Sequence, residues 1–217
     1  MSAPDPTAAK LRRSAGRPKL EDVAVIERRL LAVALQHFLA HGYGATSLSQ
    51  IIKAMGISKT TLYSRFSSKE DLFRAIMREQ LQRLDATTLL RPLGGRPELE
   101  KGLKAYANYL LETSLQGDIL GINRLITSES QRFPELGIAA AEKAQPGIRQ
   151  IAGFIRECAQ LDGIPCRNPE AVAEAFIFML RGWYVNVMLT NRSVSGAERR
   201  RWVDNAVHTL VSARSDW

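Results

Sequence analysis

A run of polar side chains at residues 58–63 has the chemistry needed to contact nucleic acid. Its lysine can donate to a phosphate or a guanine edge, and its threonines offer a hydroxyl and a methyl that can approach a thymine methyl closely. The hydroxyls of Tyr63 and Thr46 and the ammonium of Lys69 are of the kind that bind the phosphate backbone. The outward-facing residues of the run are Lys59, Thr60, Thr61 and Tyr63.

Two short predicted helices and a tight turn position this run. Ser47 can cap the first helix, and Gln50 three residues later completes a capping box. Free N–H groups at that helix start face towards anions, so Ser47 is a further candidate for DNA contact. Gly56 can adopt the left-handed backbone angles that end a helix. The apolar face of the first helix is spaced at i, i+3, i+4 and i+7, with Leu48, Ile51, Ile52 and Met55 as its members.

The second helix is predicted over Lys59–Ser64, with Ser58 as its cap and Leu62 facing inward. Ser67 and Glu70 form another candidate capping box, which would begin a third helix. Two short helices joined by a tight turn make a helix-turn-helix, whose second helix can enter a DNA major groove. From the spacing alone, however, an ordinary helical hairpin with a solvated polar face would be favoured.

Positive charge is concentrated at the start of the chain. The 217 residues carry a formal net charge of +8, and residues 1–83 hold 14 Lys and Arg against 7 Asp and Glu. A polyanion-binding module requires such a basic region. Residues 1–20 are predicted to be a flexible basic arm. Within it, Arg17 and Lys19 could lie in a minor groove, or the arm could be a solvated tail that adds only non-specific attraction.

TetR-family transcriptional regulators have a DNA-binding signature that residues 56–73, G-I-S-K-T-T-L-Y-S-R-F-S-S-K-E-D-L-F, closely resemble. Gly42, Tyr43 and Thr46 stand where that family leaves its first helix and begins its second, and the resemblance covers about residues 22–77. It implies that Thr46 and Lys69 contact phosphates. Ser64-Arg65 depart from the family, whose members often carry aromatic or histidine residues there. The resemblance implies a recognition helix that contains Ser58, Lys59, Thr60, Thr61 and Tyr63.

The remaining sequence is helical throughout, so the predicted fold class is all-α. A first helix is predicted from about Glu21 to His41. The predicted helix-turn-helix domain spans residues 21–68, and a ligand-binding and dimerisation domain spans residues 69–217. A long helix from residue 68 to about residue 90 joins them. Beyond a Pro- and Gly-rich break, further Gly, Pro and Asn signals bound helices up to the end of the chain.

The last two long helices are predicted to be apolar on more than one side. A helix that is apolar on two sides needs two partners. In TetR-family proteins the final two helices pair with their copies, so the resemblance implies a homodimer through these helices. A fully buried central helix is the alternative. The two predicted rows within residues 170–190 are Val172, Phe176, Met179, Trp183 and Val187, and Ile177, Leu180, Tyr184 and Met188.

Residues 119–190 also resemble the ligand-binding region of AefR-like TetR-family repressors, most clearly over N-R-L-I-T-S-E-S-Q-R-F-P-E-L at 123–136. The resemblance implies a pocket for an unknown small-molecule effector between the middle helices. Glu129 and Arg132 are candidate polar anchors, or a solvated ion pair. The candidate lining residues, each of which is also suited to an ordinary core, are Tyr106, Leu110, Leu125, Phe154 and Trp183.

Other chemistry has little support in the sequence. It contains no G-x-S-x-G, no Gly-rich phosphate loop and no C-x-x-C, so neither an enzyme nor a cofactor is predicted. His37 and His41 have metal-binding spacing but no third ligand, so no metal site is predicted. Cys158 and Cys166 are too few for a disulfide framework, and a redox role stays open. The apolar run Val172–Leu189 is interrupted by charges, and no signal peptide is recognised, so we expect a cytoplasmic protein without a membrane span.

The sequence therefore predicts a homodimeric, sequence-specific transcriptional regulator. We expect it to bind a palindromic operator on double-stranded DNA and to be released by a small molecule. An activator of the same family and a non-specific nucleoid-type DNA-binding protein are the alternatives, and an all-α enzyme with a basic head is a third class.

Overall fold

The computed structural model describes residues 20–83 and 96–217, and the regular elements within those ranges are helices. The N-terminal helices are α1 (Leu20–Ala45), α2 (Leu48–Met55), α3 (Lys59–Tyr63) and α4 (Lys69–Arg83). The C-terminal helices are α5 (Leu99–Ser114), α6 (Gly117–Glu129), α7 (Pro134–Glu142), α8 (Ala144–Asp162), α9 (Pro169–Leu189) and α10 (Gly196–Ser212). The predicted all-α fold class is confirmed. The predicted basic arm with Arg17 and Lys19, and the predicted continuation of α4 to residue 90, lie outside the described residues.

Local sequence signals set the ends of the first helices. Gly42, with φ 74° and ψ 171°, breaks the helical path of α1 just after its predicted end. Ser47 Oγ accepts the backbone N–H of Gln50 at 3.3 Å, and Gln50 Oε1 accepts the N–H of Ser47 at 2.7 Å. Gly56 ends α2 in the left-handed region at φ 65°. The predicted capping box and both predicted glycine stops are therefore confirmed.

The predicted capping box of Ser67 with Glu70 is wrong by one residue. Ser68 Oγ accepts the N–H of Asp71 at 3.0 Å, so Ser68 caps α4. The Ser67 hydroxyl donates to the Asp71 carboxylate. The Glu70 carboxylate instead accepts a hydrogen bond from the Tyr43 hydroxyl at 2.8 Å.

The buried side chains of the described residues form two hydrophobic cores. The head-side core contains the buried residues of α1 to α4, and the body-side core contains those of α5, α8, α9 and α10. Helix α6 packs along α1, and α7 packs along α4. Although they follow α5 in the chain, α6, α7 and the turn between them therefore belong to the head-side core, to which they contribute Ile122, Leu125, Ile126, Phe133 and Leu136.

Helix α9 packs along α8, and α10 packs along α5. The members of the two apolar rows predicted for α9 are buried or half-buried within the same chain. A largely apolar helix offers several rows at helical spacing, and the neighbouring helices decide which of them are covered. By length and hydropathy α9 would pass as a membrane span, a test that core helices also pass. The apolar row left exposed or half-exposed is Ala175, Phe178, Gly182, Val185 and Leu189.

Candidate DNA-binding surface and ligand cavity

Helix α3 has an outward face, and hydroxyl groups form hydrogen bonds at its start. Lys59, Thr60 and Tyr63 are exposed, and their side chains make no hydrogen bond to any described residue. Ser58 Oγ instead accepts the N–H of Thr61 at 3.0 Å, and the two hydroxyl oxygens lie 2.9 Å apart. The predicted recognition residues thus divide into three that are available to a ligand and two that hold the helix start.

The end of α3 is held by the two residues that depart from the family signature. The Ser64 hydroxyl and the Arg65 guanidinium both donate to the carbonyl oxygen of Thr61, at 3.0 and 2.9 Å. A helix of this length has few internal hydrogen bonds, so donors at its last carbonyls help to define it. Sequence reasoning did not assign this role to either residue.

The side chain of Thr46 is in the interior of the head rather than on its surface. It is 1% exposed, and its hydroxyl oxygen lies 2.8 Å from the carbonyl of Gly42 and 3.0 Å from that of His37. The predicted phosphate contact by this hydroxyl is therefore corrected to a structural role at the end of α1. Ser47 remains exposed, and its hydroxyl donates to Gln50 at 3.0 Å.

Lys69 also has a structural role in place of the predicted phosphate contact. Its ammonium donates to the carbonyls of Tyr43, Gly44 and Thr46 at 2.7, 3.3 and 2.8 Å. An ammonium has three N–H donors, so these bonds use all of them. The nitrogen also lies 4.3 Å from the centroid of the Tyr43 ring. Lys69 therefore supplies hydrogen-bond donors to carbonyls near the end of α1, where a cation is favoured.

Tyr43 connects the head to the turn between α6 and α7. Its ring lies 5.2 Å from that of Phe133 and 4.9 Å from the guanidinium carbon of Arg132. Burial and the hydrogen bond to Glu70 raise the pKa of Tyr43 to about 12, so its hydroxyl remains a donor at neutral pH. The same hydrogen bond holds the pKa of Glu70 below its ordinary value.

A second connection joins α4 to α7. Arg74 Nε lies 2.8 Å from Glu135 Oε1, and the Arg74 guanidinium carbon lies 4.9 Å from the Phe133 ring. The hydrogen bond from Arg74 holds the pKa of Glu135 below its ordinary value. Glu129 and Arg132 form the predicted i, i+3 ion pair at 3.7 Å, and neither residue lines the cavity described next.

A cavity of about 400 Å³ lies between the two cores. Leu81 and Ile126 line it from the head-side core, and Tyr106 and Ile177 line it from the body-side core. Its volume is in the range of small-molecule sites. The other lining residues are Arg83, Tyr109, Leu110, Thr113, Ser114, Ile119, Asn123, Thr127, Ala140, Lys143, Ala144, Gly147, Arg181 and Tyr184.

Two of the five predicted ligand residues, Tyr106 and Leu110, line this cavity. Tyr106 is 1% exposed, and its hydroxyl has no hydrogen-bond partner among the described residues. Burial raises the pKa of Tyr106 to about 12.

The other three predicted ligand residues lie elsewhere. Leu125 is buried in the head-side core. The Phe154 ring covers Gly102 so closely that a Cβ atom at residue 102 would lie 2.2 Å from it. Trp183 stacks on Trp202 with ring centroids 4.8 Å apart. Each of these three packs against other apolar residues of the chain, which is the ordinary core role that the sequence also allowed.

The remaining candidates for chemistry are the histidine pair of α1 and the two cysteines. The rings of His37 and His41 lie 6.0 Å apart, and residues 20–83 and 96–217 contain no group of three potential metal ligands. Cys158 is buried, and burial raises the pKa of its thiol, which disfavours the reactive thiolate.

Comparison with known proteins identifies the chain's relatives. The HTH-type transcriptional repressor ComR of Escherichia coli strain K12 is 40% identical over 76 residues, which cover 35% of this chain and 34% of ComR. The HTH-type transcriptional activator FasR of Mycolicibacterium smegmatis is 29% identical over 118 residues, which cover 52% of this chain and 53% of FasR. The matches therefore span about a third of ComR and half of FasR.

A solved structure matches most of the fold. The crystal structure of a TetR-family transcriptional regulator from Mesorhizobium loti MAFF303099 is 26% identical, with a TM-score of 0.71, and the match covers 88% of this chain and 97% of that one. The family model of bacterial regulatory proteins of the tetR family matches residues 30–76. The model of the AefR-like transcriptional repressor C-terminal domain matches residues 101–213, more than half of the chain. The chain therefore belongs to the TetR family of transcriptional regulators and has an AefR-like C-terminal domain.

Proposed function

We propose that the protein is a homodimeric repressor that binds a palindromic operator through α3 and releases it when a small molecule enters the cavity. The observation that carries this proposal is the outward face of α3. Lys59, Thr60 and Tyr63 project from a helix whose other polar side chains are bonded internally. One short helix gives limited affinity, and two at half-sites about one duplex turn apart multiply it.

Residue chemistry suggests how the α3 surface reads DNA. Lys59 can donate to guanine edges or phosphate, and the Thr60 methyl can contact a thymine methyl. The Tyr63 hydroxyl and the start of α2 at Ser47 are suited to phosphates. Residues 17 and 19 of the basic arm would add a minor-groove contact. Thr46 and Lys69 are left out of this surface, because their side chains bond to carbonyls near the end of α1.

The exposed row of α9 supports the homodimer. Phe178 and Leu189 are 48% and 70% exposed, and no atom from elsewhere in the described residues lies within 4 Å of a Cβ built at Gly182. Such a row, apolar at both ends and small in the middle, allows close approach of a second helix. The outer face of α10 is polar and would form the rim, with Asp204, Asn205, His208, Thr209 and Ser212 exposed.

The dimer proposal is tested by a charge on the α9 row. We expect Phe178→Glu to convert the dimer to a monomer in sedimentation, because a carboxylate would be buried without a partner. Ile138→Glu is the matched control, since Ile138 is 60% exposed on α7 and outside the row. A Phe178→Glu protein that sediments with the same mass as the control would contradict the proposed interface.

The cavity position suggests how a ligand acts. It is bounded by Leu81 of α4 and Ile126 of α6 on the head side. A ligand that separates these residues from Tyr106 and Ile177 would shift the head-side core relative to the body-side core. The spacing of the two α3 helices would then differ from the duplex repeat of about 34 Å. Release requires the ligand to bind that state preferentially.

Binding to the DNA upstream of the protein's own gene tests the main proposal. We expect saturable protection with two-fold symmetry that persists against competitor DNA at near-physiological salt. Lys59→Ala should weaken operator binding roughly tenfold, because it removes a charged donor to a base or phosphate. Tyr63→Phe should weaken it by less, because it removes a single hydroxyl contact to a phosphate. Lys101→Ala is the charge-matched control, an exposed lysine on α5. Unchanged affinity in both α3 variants would contradict the assignment of α3.

Two alternatives have specific support. Similarity to the activator FasR over half of the chain favours an activator, and a reporter gene behind the bound promoter distinguishes the two by the sign of the response. The basic first 83 residues favour non-specific binding, which predicts a steep salt dependence without preference for an operator. Either form of DNA-binding regulator would act in the cytoplasm.

A further inference from the structure

We propose that the effector is a small aromatic acid, bound as an anion in the cavity between the two cores. This inference rests on the proposed ligand-binding role of that cavity and adds the chemical class of its occupant. It is carried by three observations: the sign of the charged groups, the hydroxyl of a buried tyrosine that has no partner among the described residues, and the aromatic walls.

Among the described residues, the charged side chains that line the cavity are all basic. They are Arg83, Lys143 and Arg181, and no aspartate or glutamate from residues 20–83 or 96–217 lines it. Arg83 is paired with Glu79. Lys143 and Arg181 are half-buried and form no salt bridge with a described residue. Two positive charges without a counter-charge among the described residues would attract an anion into the cavity and repel a cation.

Tyr106 supplies a directed hydrogen-bond donor. Its side chain is buried, its hydroxyl lacks a partner among the described residues, and the residue lines the cavity. Gly147 permits this placement, because a Cβ at residue 147 would lie 2.6 Å from the Tyr106 hydroxyl oxygen. With its pKa raised to about 12, Tyr106 stays protonated at neutral pH and can donate to a carboxylate.

The apolar walls and the basic groups share the same helix faces. On α5, Tyr106, Tyr109 and Leu110 lie within one turn and line the cavity together. On α9, Arg181 and Tyr184 lie one turn apart and both line it. An occupant with a flat apolar body and an acidic group at one end would contact the tyrosine rings and the guanidinium at once.

Three isosteric probes separate charge from shape: 2-naphthoate, the neutral 2-naphthamide and the cationic 2-naphthamidine. Each is titrated by calorimetry into the full-length protein without DNA. We expect the naphthoate to bind roughly tenfold tighter than the amide or more, because hydrogen bonds to charged groups are stronger than neutral ones. We expect the amidine to bind most weakly.

Variants test the named groups. Arg181→Gln should remove most of the preference for the acid over the amide, and Arg181→Lys should retain it. Tyr106→Phe should weaken naphthoate binding several-fold, because a donor is lost without a change in shape. Arg149→Gln is the control, an exposed arginine on α8 that does not line the cavity. Thermal melting of each variant shows whether it is folded.

Equal affinity for acid and amide, tighter binding of the amidine, or no naphthoate binding at millimolar concentration would overturn the inference. A preference that survives Arg181→Gln in a folded protein would also overturn it. Operator release is measured separately. Naphthoate binding that leaves the operator occupied would support the ligand class while contradicting the proposed release mechanism, so the two failures are distinguishable.

Discussion

The head-side and body-side cores differ in how their residues are drawn from the chain. The body-side core is built from α5 and from α8 to α10. The head-side core takes the first four helices and adds α6, α7 and the intervening turn, which follow α5 in the sequence. Along the sequence, the chain therefore contributes α1 to α4 to the head-side core and α5 to the body-side core. It then adds α6 and α7 to the head-side core and α8 to α10 to the body-side core.

This difference suggests how a regulatory domain can act on a DNA-binding head. The turn between α6 and α7 places Phe133 against Tyr43 and Phe73, at the end of α1 and inside α4. A ligand between the cores would contact the head-side core directly, because one wall of its cavity belongs to the same core as the helix-turn-helix. The predicted domain boundary lies between residues 68 and 69. The two cores instead group α6 and α7 with α1 to α4, and α5 with α8 to α10.

The largest effects are expected from removing one large aromatic residue in each core. Phe133 and Phe176 are both fully buried, and either change to alanine should cost about 3–5 kcal/mol of unfolding free energy. Phe133→Ala should lower the amide-exchange protection of α1 to α4, and Phe176→Ala that of α5 and α8 to α10. Urea unfolding and hydrogen exchange by mass spectrometry measure the two effects. Loss of protection in the body helices alone after Phe133→Ala would contradict the division into two cores.

Alkaline pH should weaken both cores through one buried tyrosine in each. Tyr43 and Tyr106 both have a pKa raised from 10.0 to about 12. A raised pKa leaves stability intact below pH 10 and reduces it as pH rises towards 12, by up to about 3 kcal/mol for each group. Tyr43→Phe and Tyr106→Phe should each reduce the loss measured by urea unfolding between pH 9 and pH 11.

The two tyrosine variants should differ at neutral pH. Tyr43→Phe removes the hydrogen bond to Glu70 and should cost roughly 1–3 kcal/mol at pH 7. Tyr106→Phe removes no hydrogen bond to a described residue and should change stability by less than about 1 kcal/mol. Equal losses at pH 7 would mean that the Tyr106 hydroxyl has a partner in the folded protein.

A smaller effect separates the structural lysine of the head from the DNA-reading one. Lys69→Met keeps the apolar stem but leaves three carbonyls without their donor, which should cost about 2 kcal/mol. Operator affinity should fall little at temperatures where the variant is folded. Lys59→Met should leave stability nearly unchanged and weaken operator binding, because the Lys59 side chain is exposed and makes no hydrogen bond within the described residues. A Lys69→Met protein of normal stability with weak operator binding would instead support the phosphate contact predicted from the sequence.

Features set by neighbouring residues could be predicted from the sequence. The Ser47–Gln50 capping box and the stops at Gly42 and Gly56 depend on backbone angles and hydrogen bonds within a few residues. The outward face of α3 also follows from local periodicity, because burial of Leu62 fixes which side of the helix faces the head.

Features set by distant residues could not be predicted. Thr46 and Lys69 have the residue types of phosphate contacts, but α1 lies close enough to accept their hydrogen bonds. Arg132 and Tyr43 are brought together only when the α6–α7 turn joins the head-side core. The exposed row of α9, which includes Phe178, could not be distinguished from the buried rows, because period alone does not say which neighbours pack on a helix.

The smallest effect tests the contact that attaches α6 to the head. A Cβ at Gly121 would lie 2.5 Å from Leu39 Cδ2 on α1, whereas a Cβ at Gly153 in α8 would meet nothing within 4 Å. Alanine favours a helix over glycine by roughly 1 kcal/mol, so Gly153→Ala should stabilise the protein by up to that amount. Gly121→Ala gains the same propensity but must displace Leu39 or α6, and it should show a net loss of about 1 kcal/mol. Because α6 and α1 share the head-side core, Gly121→Ala should also change operator affinity, which Gly153→Ala should leave unaltered. Equal stabilisation by the two changes, with operator affinity preserved in both, would mean that α6 is not held tightly against the head and that the cores are coupled by another route.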